Sequence, residues 1–60
     1  MKTYWAVLGG FKFQIENLSV ETLRNHAGCS AVWEEVDGVR GATYHNYGSD
    51  RNPDWVRVDN

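Results

Sequence analysis

Polar and apolar residues alternate strictly after Gly9-Gly10, from Phe11 to Glu16, and before it the run from Thr3 to Leu8 has the same period with Trp5 and Val7 on its polar side. A period of two is that of a strand lying between a core and solvent, and paired glycines accept the positive φ angles of a two-residue hairpin turn. The turn sets a register in which Leu8 faces Phe11, Ala6 faces Phe13 and Tyr4 faces Ile15, so these six residues form the surface expected to be buried. The other surface carries Thr3, Trp5, Val7, Lys12, Gln14 and Glu16. It reads as a solvated face except for Trp5 and Val7.

The pattern changes at Asn17-Leu18-Ser19. Ser19 is placed to cap the amides of a first helical turn, Glu21 lies at the positive end of the helix dipole, and Leu18 can staple onto Leu23. A short helix is expected from Val20 to Ala27, closed by Gly28 in the left-handed conformation, with Val20, Leu23 and Ala27 toward the sheet. Two turns of helix are unstable alone, so packing on the hairpin must hold them.

Ala31 to Val36 returns to strand-like patterning, and Asp37-Gly38 is a strong type I′ hairpin signal. In the register this turn sets, Glu35 opposes Arg40, Trp33 opposes Ala42 and Ala31 opposes Tyr44, and this face is expected to point inward. Val32, Val36 and Val39 compete for the interior from the other face, and a bulge near Gly41 would exchange the two sets. Tyr47 to Pro53 has loop composition, and Trp55 to Val58 alternates as a last short strand. The expected order is ββαβββ: an α+β fold with a single antiparallel twisted sheet and one short helix packed on one face.

A chain of 60 residues supports one small core and therefore one domain, 1–60. Three Trp, three Tyr and two Phe offset the shortness with large buried areas. The one cysteine, Cys29, has no partner for an internal disulfide, which suits a reducing, cytoplasmic setting. Lys12, Gln14 and Glu16 cut the early apolar run too short for a signal peptide, and nothing approaches a membrane span.

Charge is uneven. Residues 1–31 set Lys2, Lys12 and Arg24 against Glu16 and Glu21, whereas residues 32–60 set three arginines against Glu34, Glu35, Asp37, Asp50, Asp54 and Asp59, for a net −2 overall. Backbone-driven nucleic-acid binding needs clustered Lys and Arg, so this balance argues against it.

Candidate chemistry is sparse. His26, Cys29 and His45 offer metal-ligand types but fall short of the four-ligand set of a structural zinc site. Asp50, Asn52 and Asp54 spell half a calcium loop, with Trp55 where a glycine belongs. No cofactor or metal is expected. Tyr44-His45-Asn46-Tyr47 could furnish the general base of a small ribonuclease, but no basic cluster accompanies it to hold a phosphate. The chain therefore reads as a non-enzyme.

Two surfaces remain as binding candidates. One is the outer face of the first hairpin, with Trp5, Val7, Lys12 and Gln14, since aromatic residues anchor protein interfaces. The other is the acidic half, with Glu34, Glu35 and Asp37, whose carboxylates could imitate a nucleic-acid backbone toward a nucleic-acid-binding enzyme. The expectation is a small non-enzymatic protein-binding domain whose partner is another protein or a second copy of the chain. Inhibitors of a host enzyme or nuclease encoded by phage or mobile elements are often built on this scale. The rival readings are a nucleic-acid-binding module using an aromatic sheet face and a small hydrolase using His45.

Overall fold

Both two-residue turns form as type I′, with φ of 57° and 87° at Gly9 and Gly10 and of 51° and 84° at Asp37 and Gly38. The computed structural model describes residues 1–59. Its elements are β1 (Lys2–Leu8), β2 (Phe11–Ile15), α1 (Val20–Asn25), β3 (Ala31–Val36), β4 (Val39–Asn46) and β5 (Trp55–Arg57). The strands make one antiparallel sheet in the order β2-β1-β3-β4-β5. Since β1 separates β2 from β3, those two run parallel and need a crossover, and the segment bearing α1 supplies it across one face. The ββαβββ order and the α+β class follow.

The first hairpin has the register its turn dictates, Leu8↔Phe11, Ala6↔Phe13 and Tyr4↔Ile15. The second begins as expected with Val36↔Val39 and Glu35↔Arg40, then shifts: Trp33 pairs with Thr43, Val32 with Tyr44 and Ala31 with His45. One extra residue on β4, at Gly41-Ala42, opposes Glu34 and inverts the parity of everything beyond it. Gly41 suits the crowded position, because a Cβ there would stand 3.2 Å from Glu34 Cγ.

The expected inward set of Ala31, Trp33 and Glu35 lies instead on the face without the helix. Val32, fully buried, takes the interior place beside Ala6, and Tyr44 packs there with it. β1 decides this, since Ala6 faces Val32 and Trp5 faces Trp33 across the β1–β3 pairing. The core is Ala6, Ile15, Leu23, Cys29 and Val32, with Tyr4, Phe13, Leu18, Tyr44 and Trp55 packed around it.

Three further expectations are corrected. The helix stops at Asn25 and is closed by His26, whose backbone N–H reaches the carbonyls of Thr22 and Leu23, while Gly28 keeps a φ outside the positive region. Val20 is exposed and Thr22 is buried in its stead, because the Ser19 cap turns Thr22 inward, where its hydroxyl bonds Ser19 and Asn17. At the hairpin tip Leu8 and Phe11 stay exposed, Phe11 at 78%, since six helical residues do not reach over them.

The loop after β4 hangs on Asn46. Its Oδ1 accepts from the amides of Gly48 and Asp54, both at 2.9 Å, and its Nδ2 donates to the carbonyl of Ala27 at 2.8 Å. The loop thereby carries Trp55 onto the helix face, where its indole N–H donates to the Leu23 carbonyl, a second bond beside that from the His26 amide.

Beyond β5, Asp59 takes both guanidinium contacts of Arg57, at 2.8 and 3.0 Å, and the amide of Thr43 at 3.0 Å. The Arg57 hydrogen bonds, then that of Thr43, lower its carboxyl to about 2. A depressed carboxyl stabilises the fold fully above its unfolded value of about 3.9 and loses that contribution as pH falls through the folded value. Asp59→Asn should thus lower the urea midpoint at pH 6, with the gap to wild type closing between about pH 4 and 2. A gap constant over that range would remove Asp59 from the acid response.

Candidate protein-binding surface

The face opposite the helix is organised by two tryptophans from neighbouring central strands. Trp5 on β1 and Trp33 on β3 are direct cross-strand partners, and such aromatic pairs are among the stronger stabilising contacts of a sheet. Each indole N–H is satisfied two residues along its own strand, on the same face. Trp5 Nε1 donates to Thr3 Oγ1 at 2.9 Å, and Trp33 Nε1 donates to Glu35 Oε2 at 2.8 Å. Both ring orientations are thereby held.

Two cations lie over the rings. Lys12 Nζ is 4.4 Å from the Trp5 centroid and 5.6 Å from that of Trp33, and the Arg40 guanidinium is 4.0 Å above Trp33. Glu35 stands between them, accepting from Trp33 and, at 3.4 Å, from Lys12. The Trp33 hydrogen bond, more than the Lys12 contact, lowers the Glu35 carboxyl below its usual range, so it is ionised at neutral pH. The stems and heads of Lys12, Glu35 and Arg40 do what a second layer would do elsewhere, and Trp33 is only 5% exposed on a face no helix covers. Trp5, nearer the sheet edge, stays half-buried and within reach of a partner.

The β1–β3 pairing and the register of the second turn make this constellation, and the bulge adds Thr43 to it. Arg40 before it and Thr43 after it share the open face despite an odd spacing, and without the extra residue Trp33 would oppose Ala42. Four anticipated residues, Trp5, Val7, Lys12 and Gln14, do share this face, with Val7 half-buried and Gln14 exposed.

The acidic group is not gathered. Glu35 belongs to the tryptophan cluster, Glu34 lies on the helix side beside Gly41, and Asp37 sits in its turn paired with the N-terminal ammonium of Met1. Trp33 and Arg40 belong to the site and are absent from the sequence expectation. No local signal could place them there, because the face of β3 is chosen by its pairing with β1 and Arg40 follows Glu35.

His45 projects from the same face beside the Tyr47 ring, 6.1 Å between centroids. Cys29 is buried, and burial pushes its thiol up, away from the thiolate a nucleophile needs. His26 places Nδ1 2.8 Å from the carbonyl of Thr22 and its ring against Phe13. Among the described residues no three His, Cys, Asp or Glu side chains converge, and no helix is long and apolar enough to cross a membrane. A concavity of about 410 Å³ opens between α1 and β4–β5, lined by Leu23, Tyr44 and Trp55 with Arg24 and Pro53. No protein-family model, curated protein or solved structure matches the chain.

Proposed function

We propose that the protein binds another protein through the open sheet face, with Trp5 as the anchor. The observation that carries the reading is the cross-strand pair of Trp5 and Trp33 on the uncovered face, held by indole hydrogen bonds and flanked by Lys12 and Arg40. A large ring whose orientation is fixed before binding loses little entropy on association, and aromatic and arginine side chains dominate interface energetics. The two cations at its margin fit a partner with an apolar contact ringed by carboxylates. In the narrower form of this reading the partner is a host enzyme that the domain inhibits, and the setting is the cytoplasm of a cell carrying a phage or mobile element. That form rests on association with other small inhibitors.

The test compares wild type with Trp5→Ala. With the partner captured from host lysate and then purified, Trp5→Ala should weaken binding by about 2 kcal/mol, a roughly 30-fold rise in Kd, while shifting the denaturation midpoint much less than a core truncation does. Unchanged affinity would remove this face, and the groove beside Arg24 would take its place.

The same pairing of rings and cations supports a second reading, stacking of single-stranded nucleic acid. Against it, Arg40 and Lys12 already occupy ring faces that bases would need. Affinity for oligonucleotides that falls steeply with salt, and further when Lys12 or Arg40 is removed, would favour it.

A further inference from the structure

The strand β2 is an edge, and its backbone polarity can be assigned. Val7 gives its carbonyl to the amide of Ser30, so the odd residues of β1 point their backbone groups toward β3 and the even ones toward β2. Tyr4, Ala6 and Leu8 then bond Ile15, Phe13 and Phe11, which leaves the N–H and C=O of Lys12 and Gln14 directed outward, where no other described strand meets them. Proteins normally guard such an edge with a lysine standing over it, a proline or a short strand. Here there is no proline, and Lys12 is drawn back over Trp5 and toward Glu35. Phe11 on this strand is 78% exposed. The opposite edge is guarded: β5 has three residues, Pro53 precedes it, and Arg57 is tied to Asp59.

We propose that β2 pairs antiparallel with β2 of a second copy, joining two sheets into one across a two-fold axis at Phe13. The sequence of β2 is complementary to itself in this register. Lys12 of each copy faces Gln14 of the other, so no like charges are directly opposed, and these are the residues with outward hydrogen-bonding groups. Phe11 faces Ile15 on the helix side, and the two Phe13 side chains meet at the axis. Because the second edge is guarded, the contact is isologous and closes at a dimer instead of growing into a fibre. The proposal does not depend on the open face binding a partner; it would set two Trp5 side chains on one continuous surface, about 16 Å apart across three strand spacings and a two-residue stagger.

Five-residue edges make a small interface, so dissociation is expected in the range of tens to hundreds of micromolar. Sedimentation equilibrium of the wild type should show a mass rising from 6.9 kDa toward twice that value between about 10 μM and 1 mM. In hydrogen exchange over the same range, the amides of Lys12 and Gln14 should gain protection with concentration, while those of Phe13 and Ile15, bonded within the hairpin, should not respond. Phe11→Glu, at an exposed position, should keep the monomer fold and hold the mass at one chain throughout. Gln14→Pro, which removes an outward N–H, should do the same. A constant mass of one chain for the wild type would overturn the proposal. So would a dimer that survives both variants, or one whose concentration-dependent protection lies elsewhere and which Trp5→Ala dissolves.

Discussion

Trp33→Ala is expected to leave most of the protein unfolded at ambient temperature. Truncating a buried tryptophan costs about 3–5 kcal/mol, and a domain of this length has only about 3–9 kcal/mol in total. The position makes the expectation unusual, because Trp33 is on the face that no helix covers. Its loss would remove the surface under Arg40, the donor that orients Glu35 and the cross-strand partner of Trp5. Trp5→Ala, by contrast, removes a half-buried ring nearer the edge and leaves Arg40, Trp33 and Glu35 in contact. Urea denaturation followed by circular dichroism, with an amide NMR spectrum of each variant, separates the two. A well-dispersed Trp33→Ala spectrum with a stability loss under about 1 kcal/mol would show that the cations do not seal the ring.

Gly48→Ala should cost about 3 kcal/mol, at the upper end for overpacking, through a different mechanism. A Cβ at this position would lie 2.1 Å from the Asn52 carbonyl oxygen and 2.9 Å from the Asp54 nitrogen. Both are backbone atoms, so no side chain can swing away. Relief requires the loop to open, and opening it breaks Tyr47 N–H to Asp54 O, Ser49 N–H to Asn52 O and the two bonds accepted by Asn46. The requirement for glycine is close approach, as φ at Gly48 lies outside the positive region that explains Gly9, Gly10 and Gly38. Thermal and urea unfolding of Gly48→Ala measure the loss directly. A midpoint within about 0.5 kcal/mol of wild type would mean that the loop has another conformation of equal energy.

Where the sequence was informative, it was so through local chemistry. Gly9-Gly10 and Asp37-Gly38 specify their turns because φ is a property of the residue itself, and a two-residue turn then fixes the register of the strands it joins. Ser19 caps α1 for the same reason, as its hydroxyl reaches an amide three residues away. Trp5, Val7, Lys12 and Gln14 could be placed on one face from the first turn alone.

The burial of β3 lay beyond that reach. Its two sets, Ala31, Trp33 and Glu35 against Val32, Glu34 and Val36, are each part apolar and part charged, so alternation does not choose between them. The choice is made by β1, far away in sequence. Ala6 and Val32 fill the narrow space below the helix, while Trp33 finds Trp5 across the sheet and cations to cover it. A single extra residue at the Gly41 bulge then brings Arg40 and Thr43 to the same side. The two turns, the helix N-cap and the register of the first hairpin were thus determined by the sequence itself, because each depends on residues a few positions apart. The inward face of β3, the tryptophan pair and its cationic cover were decided only by the tertiary structure, because they arise from competition among distant segments for one small core.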